Sequence, residues 1–230
     1  MAASFTGVSP SFFLILSLTT TLFSSLIIIS PSRCDPDSLQ DLCIADLSSK
    51  VGLNGYPCKP ASAVTSEDFF FSGLTQAGNM SATPFGASVS FGIVTTFPGL
   101  NTLGLSMNRV DYAPGGVVIP HTHPRATELV LVLKGSVYMG FVSSTNVLYS
   151  KVVKPGELFV IPTGLIHFQQ NVGKGMAKAV AVFNSQNGGA SLLSPGLFGA
   201  TPEIPSGILA RAFKIDEKVV DDIKSKFGSS

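Results

Sequence analysis

The residues from about 87 to 184 form a series of short apolar or β-branched segments separated by Gly, Pro and Asn, and this pattern constrains the fold most strongly. The segments are residues 88–95, 103–112, 129–133, 136–142, 148–153, 158–161, 166–171 and 177–183. Many short segments with regular turn residues are typical of a β-barrel or sandwich. Closure of a barrel also removes exposed strand edges. The sequence therefore predicts an all-β domain.

The chain has three histidines, and all of them fall within this region. His121 and His123 are two residues apart, so their side chains point to the same face of an extended strand. Glu128 precedes the apolar segment 129–133, and His167 follows the turn residues at 162–164. A neighbouring antiparallel strand would return His167 to the other three side chains. These four residues are predicted to bind one metal ion, because imidazole and carboxylate are both good metal ligands.

Each histidine also has a simpler interpretation, as a core residue that is hydrogen-bonded to the backbone. The occurrence of all three in one pattern favours the shared metal site. The ligand types do not identify the ion, because imidazole suits Zn, Cu, Fe and Ni while the carboxylate also admits Mn.

The composition limits the classes of partner. The chain of 230 residues is long enough for one domain with a sizeable core. Its formal charge is +1, and the charged residues are spread along the chain without a basic run. This balance indicates neither nucleic-acid binding nor attachment to an anionic membrane surface.

The N-terminal residues resemble a secretory leader. Residues 11–29 are almost free of charge and rich in Leu, Ile and Phe, and small residues lie near Cys34. We predict a signal peptide over residues 1–34 that is cleaved, which gives a secreted protein with no membrane attachment. A membrane anchor is the alternative, because the apolar stretch approaches the ~20 residues that span a bilayer. The extreme N-terminal position and the many Ser and Thr residues favour cleavage.

Loss of the leader would leave Cys43 and Cys58 as an even pair in an oxidising compartment. We therefore predict a disulfide between them. It would pin an N-terminal arm, residues 35–86, that has little core of its own. Metal binding by these thiols is the alternative, but no histidine accompanies them.

The only Asn-x-Ser/Thr sequon in the chain is Asn79-Met80-Ser81. It lies in a polar stretch that is typical of a loop. Glycosylation of Asn79 is therefore expected in a secreted protein.

Helical periodicity appears only near the C-terminus. Apolar residues recur at helical spacing while charged residues occupy the other face, which predicts an amphipathic helix. These apolar residues are Ile215, Val219, Val220, Ile223 and Phe227. A second short helix is predicted at about 207–213. Both helices could pack on their own barrel or contact neighbouring subunits.

Two motifs carry a family resemblance. Residues 115–135 read G-x5-H-x-H-x4-E-x6-G, and residues 156–171 read G-x5-P-x-G-x2-H-x3-N. Together they resemble the two cupin boxes of the plant germin and germin-like proteins. Further similar stretches at 35–43, 101–116 and 183–187 extend the resemblance over essentially the whole mature chain.

The resemblance implies an architecture and a cofactor. The fold would be a jelly-roll cupin β-barrel over residues 87–190, preceded by the arm and followed by a C-terminal helical oligomerisation segment at 191–230. The metal would be manganese, bound by His121, His123, Glu128 and His167. The protein would be a homo-oligomer, a hexamer built as a trimer of dimers. Phe159 and Phe168 are expected to pack around the site.

The resemblance leaves more than one activity open. Superoxide dismutation, which would produce hydrogen peroxide in the cell wall during defence or development, needs little beyond the four ligands and is the leading interpretation. Oxalate-oxidising germins are thought to use two asparagines. Asn108 matches the first and is a possible substrate contact, whereas Val118 occupies the second position, so oxalate oxidation is not expected. The alternatives are binding of a small organic acid such as an auxin, a structural role in the wall, and hydrolysis of nucleotide sugars.

Overall fold

The computed structural model describes residues 40–52 and 55–227. The predicted signal peptide at 1–34 lies outside these residues. Within the described ranges, every helix is too short or too polar to cross a bilayer.

Ten strands in the described part of the chain form two antiparallel sheets of five strands each. The strands are β1 (Ala87–Gly92), β2 (Ser106–Tyr112), β3 (Val117–Thr122), β4 (Glu128–Lys134), β5 (Val137–Val142), β6 (Leu148–Val153), β7 (Leu158–Ile161), β8 (Ile166–Asn171), β9 (Ala177–Phe183) and β10 (Ser191–Leu192). Sheet one has the order β1-β2-β9-β4-β7, and sheet two has the order β10-β3-β8-β5-β6. The all-β prediction is confirmed.

Alternation along the strands builds the core between the two sheets. In β9, the buried residues are every second one, from Ala177 to Phe183. Val130 and Val132 of β4 alternate in the same way, and they pack in one cluster with Val137 and Met139 from sheet two. Because successive side chains point to opposite faces of a strand, the same alternation also directs the site residues inward.

Each of the eight predicted segments overlaps a strand, β3 agrees with the extended strand predicted from the spacing of His121 and His123, and β10 was not predicted. Pro120 lies inside β3, and a proline within a short segment argues against a strand because it lacks the N–H donor. The register of β3 against β8 shifts between Val118 and His121, and this irregularity accommodates the proline. Strand β10 has only two residues, too few for a periodic signal.

The N-terminal arm contains the predicted Cys43–Cys58 disulfide. Cys43 is followed by Ile44, which is fully buried and whose carbonyl accepts a hydrogen bond of 2.8 Å from the N–H of Lys59. The Nδ2 of Asn101 donates to the carbonyl of Tyr56 at 2.9 Å. The regular structure of the described arm consists of an isolated antiparallel β-bridge between Ala45 and Cys58 and short 3-10 turns at Ala61–Ala63, Ser66–Phe69 and Met80–Ala82. The disulfide therefore ties together a segment with little secondary structure.

Three short helices follow the sheets: α1 (Leu193–Phe198), α2 (Ser206–Phe213) and α3 (Glu217–Lys224). The last two match the predicted helices, although α3 is shorter than the amphipathic pattern. Helix α1 was not predicted, because Pro195 and Gly196 are poor helix formers. The segment predicted to be helical from 191 begins with β10. Val220 of α3 packs against Leu209 of α2, so these helices share a small core of their own.

Candidate metal centre

The four predicted ligands converge at one place between the two sheets. His121 of β3 lies directly opposite His167 of the neighbouring β8. His123 follows the end of β3, and Glu128 is the first residue of β4 in the other sheet. One potential ligand atom from each side chain lies within 4.8 Å of those from the other three. All four residues are buried, with exposed fractions between 0% and 8%.

Backbone hydrogen bonds set the orientation of the three imidazoles. The Nδ1 atoms of His121 and His167 lie 2.8 Å from the carbonyl oxygens of Ile119 and Leu165. The Nδ1 of His123 contacts the carbonyl oxygen of Gly189. A carbonyl can only accept, so each neutral ring carries its proton on Nδ1 and directs the lone pair of Nε2 into the cluster. Hydrogen bonding to the backbone and metal binding are therefore compatible, because each uses a different ring nitrogen.

Two polar atoms at the centre of the cluster have no hydrogen-bond partner. They are Nε2 of His167 and Oε2 of Glu128, and both are fully buried. They lie 3.0 Å apart, but without the geometry of a hydrogen bond. Unpaired buried polar atoms are costly, typically by about 1–3 kcal/mol each. A cation bound between them would remove this cost, so the residues present fit a metal ion.

Local electrostatics favour the metal-binding protonation states of His121 and Glu128. Burial lowers the pKa of His121 to about 4, and repulsion from His167 adds to the effect, so this ring is neutral at pH 7. Burial alone would raise the pKa of Glu128, but polar contacts with His123 and His167 lower it to about 2. For His123, burial lowers the pKa but the contact with Glu128 outweighs it, and the net shift is upward. The cluster thus combines imidazole with an ionised carboxylate.

A cavity of about 280 Å³ opens beside the ligands. Most of its lining is apolar, and Asn108 and Val118 are both part of it. The Oδ1 of Asn108 is buried and has no hydrogen-bond partner. The other lining residues outside the ligand set include Val89, Phe91, Val110, Gln169, Ala181, Phe183, Ala190 and Leu192. The cavity could therefore admit a small molecule to the metal, with Asn108 as a hydrogen-bonding group.

The aromatic residue that packs on the ligands is Phe183, whose ring centroid lies 4.8 Å from that of His123. Phe168 does not pack around the site, contrary to expectation. It pairs with Tyr138 at 5.6 Å, since it neighbours the inward-pointing His167 on β8 and must face the other way. Phe159 is partly buried and packs against the main core.

Two further polar residues that were not predicted belong to the site. The Nε2 of Gln169 donates to Oε1 of Glu128 at 3.2 Å. The hydroxyl of Tyr112 donates to Oε1 of Gln169. Burial raises the pKa of Tyr112 well above its usual value, and the nearby negative charge of Glu128 adds to this effect. The hydroxyl therefore stays protonated. Gln169 lies two residues after His167, and this spacing was the signal that could have revealed it.

Comparisons with known proteins identify the family of this chain. The model of the Cupin family matches residues 72–221. Germin-like protein 1-1 of Oryza sativa subsp. japonica is 53% identical over 203 residues, which cover 88% of this chain and 93% of that protein. Germin-like protein subfamily 2 member 1 of Arabidopsis thaliana is 52% identical over 219 residues, 95% of this chain and 97% of that protein.

A recombinant oxalate oxidase, solved in complex with glycolate, superposes with a TM-score of 0.82 at 52% identity, covering 84% of this chain and 98% of that one. This match confirms the cupin fold that the sequence motifs implied. On the family model, the relatives and the fold together, the chain belongs to the germin-like proteins of the cupin family.

Proposed function

We propose that the protein is a secreted, manganese-binding germin-like protein that dismutates superoxide and releases hydrogen peroxide in the cell wall. The observation that carries the proposal is the buried cluster of His121, His123, Glu128 and His167, in which two ligand atoms lack any other partner. Four protein ligands leave positions open on an octahedral ion, which is the property of a reactive rather than a structural metal.

The chain itself would bind the ion, admit the substrate and limit water. Manganese would supply one-electron redox chemistry, by which one superoxide is oxidised to dioxygen and another, with two protons, is reduced to hydrogen peroxide. The anionic Glu128 and the imidazoles would hold the ion. Phe183 and Val118 form apolar walls of the cavity, and the Asn108 amide offers a hydrogen bond to a small oxygen species.

The test of this function compares metals in the same protein. The mature chain, freed of metal by a chelator, is reloaded with Mn²⁺ or with Zn²⁺, which has no redox chemistry but accepts the same ligands. Superoxide dismutation is expected with Mn²⁺ and not with Zn²⁺. A protein that is fully loaded with Mn²⁺ yet inactive would support the binding-protein alternative, and titration with an auxin, with and without metal, would then test it.

Oxalate oxidation is the second candidate, because the oxalate oxidase shares the fold at 52% identity. Val118 lines the cavity and presents an isopropyl group that cannot donate a hydrogen bond to a dianion. Sites that hydrogen-bond their substrate can lose several kcal/mol, roughly 10³-fold or more in rate, when one donor is absent.

We expect little peroxide from oxalate with the wild-type chain and more with Val118→Asn. Peroxide release is measured with oxalate as the only substrate and compared with a Val89→Asn control, which changes another apolar residue of the cavity lining. Oxalate turnover by the wild type at a rate comparable with dismutation would contradict the prediction.

Secretion and glycosylation complete the proposal. The Cys43–Cys58 disulfide suits an oxidising compartment. Asn79 is exposed at the start of a 3-10 turn, and its side-chain oxygen accepts hydrogen bonds from the N–H and hydroxyl of Ser81. We therefore assign the protein to the extracellular space, with a glycan on Asn79. A mass difference after enzymatic deglycosylation, lost in Asn79→Gln, is the expected result.

We also propose that the protein is a homohexamer, a trimer of dimers, joined through the segment 191–230. Ile208 and Phe213 of α2 and Val219 of α3 are exposed apolar residues, as expected for helices that contact neighbouring subunits. The arm at 35–86 and the barrel at 87–190 would remain within each subunit. Light scattering at micromolar concentration is expected to give the mass of a hexamer, and a monomer would contradict the assembly.

A further inference from the structure

A buried chain of hydrogen bonds crosses between the sheets and ends on the carboxylate of the metal cluster. Tyr112 is the last residue of β2 in sheet one, Gln169 lies on β8 in sheet two, and Glu128 begins β4 in sheet one. The hydroxyl of Tyr112 donates to Gln169, and Gln169 donates to Oε1 of Glu128 at 3.2 Å. All three side chains are fully or almost fully buried.

The chain has a defined direction. The protonated hydroxyl of Tyr112 donates a hydrogen bond to Oε1 of Gln169, so the amide NH₂ faces Glu128. If the amide turned over, its oxygen would lie against a carboxylate oxygen, and two acceptors in contact inside a protein repel each other. Tyr112 thus fixes the orientation of the Gln169 amide and acts on Glu128 only through Gln169.

The two oxygens of Glu128 have different surroundings as a result. Oε1 is occupied by the amide of Gln169. Oε2 has no hydrogen-bond partner and lies 3.0 Å and 3.3 Å from the Nε2 atoms of His167 and His123. The carboxylate is therefore held with one oxygen in the ligand cluster and the other outside it.

We propose that Gln169 and Tyr112 are positioning residues, which hold Glu128 ready to bind the metal through Oε2 alone. The inference rests on the metal site of the proposed function, but not on its activity. In a purely structural role, the two residues would only provide hydrogen bonds to buried polar groups. Their removal would then lower the stability of the fold and leave the metal affinity unchanged. Hydrogen-bonded partners of metal ligands typically alter metal affinity by about 10- to 100-fold when they are removed.

The test replaces the amide with an apolar side chain of similar length. Gln169→Met removes the donor to Glu128, and Gln170→Met makes the same change on the next residue of β8, whose side chain faces away from the site. Affinity for Mn²⁺ is measured on metal-free protein from the electron paramagnetic resonance signal of free Mn²⁺. We expect about 10- to 100-fold weaker binding for Gln169→Met and wild-type affinity for Gln170→Met.

A second pair of variants tests the remote residue. Tyr112→Phe removes one hydroxyl and keeps the ring. Its control is Tyr138→Phe, which removes a hydroxyl from the outer side of β5 that donates a hydrogen bond to Oγ of Ser150 on β6. We expect Tyr112→Phe to weaken Mn²⁺ binding in the same direction as Gln169→Met but by less. The signal of bound Mn²⁺ should also change shape in both site variants, because the carboxylate is free to rotate. If Gln169→Met does not fold, the Mn²⁺ affinity of Tyr112→Phe alone tests the positioning role.

The outcomes separate the two proposals. Wild-type affinity in both site variants would overturn the positioning role, even if their thermal stability without metal is reduced. Wild-type protein that binds Mn²⁺ but does not dismutate superoxide would refute the proposed activity, and the comparison of affinities would still decide the role of Gln169 and Tyr112. Absence of Mn²⁺ binding in the wild type would refute both.

Discussion

Replacing His167 with alanine should abolish manganese binding and superoxide dismutation. His167 is fully buried, and its Nε2 is one of the two unpaired polar atoms at the centre of the cluster. Loss of a residue that only orients a ligand typically costs about 10- to 100-fold in metal affinity, and loss of a ligand itself should cost more than that. We therefore expect Mn²⁺ affinity to fall by more than about 100-fold and dismutation to fall to background.

Thermal unfolding provides a measurement that does not depend on activity. A ligand that binds only the folded state raises its stability, so Mn²⁺ should raise the melting temperature of the wild type. The same addition should not change the melting temperature of His167→Ala. Gln170→Ala is the matched control, since it lies on the same strand and faces the opposite side. A manganese-dependent rise in His167→Ala equal to that of the wild type would contradict the assignment of this ligand.

Removing the disulfide should lower the free energy of unfolding by about 3 kcal/mol, because the unfolded chain regains the conformational entropy that a closed loop of this size withholds. Cys43 and Cys58 are 15 residues apart, in an arm whose described part has only short 3-10 turns and one isolated β-bridge. The Cys43→Ala/Cys58→Ala double variant keeps the backbone hydrogen bond from Lys59 to Ile44 but loses the covalent link. Its Mn²⁺ affinity should be unchanged, because the metal ligands come from β3, β4, β8 and the residue after β3.

Urea denaturation monitored by circular dichroism measures this loss. The wild type treated with a reductant is the control, and it should unfold at the same urea concentration as the double variant. Equal unfolding free energies for oxidised wild type and double variant would show that the bond does not stabilise the fold. A fall in Mn²⁺ affinity would show instead that the arm supports the site.

Local patterns were sufficient to predict much of this fold. Eight short segments became strands because alternation and turn residues act within a few neighbours. Strand β3 was predicted only from the spacing of His121 and His123, because Pro120 interrupts the apolar pattern there. Helix α1 was missed because its stability comes from packing beside β3 and α3 rather than from its own residues.

The hydrogen bonds that connect Tyr112 and Gln169 to Glu128 were not predicted from the sequence. Gln169 looks like a surface residue in the sequence, and its partner Tyr112 is 57 residues away. The spacing of Gln169 from His167 indicates the same face of the strand, but glutamine is mostly exposed in proteins, and its burial depends on the hydrogen bonds that compensate it. Phe168 shows the opposite error, because its apolar character suggested the site while the strand alternation directs it away.

The all-β class, the four candidate ligand residues and the cysteine pair could be predicted from the sequence, because residue chemistry and local spacing carry that information. Tertiary structure alone decided that Glu128 reaches the histidines from the opposite sheet, and that Nε2 is the nitrogen each ring presents. It also decided that Asn108 and Val118 share one cavity with the ligands. These features depend on contacts between strands far apart in the chain, whose register is set by the packing of both sheets around a common core.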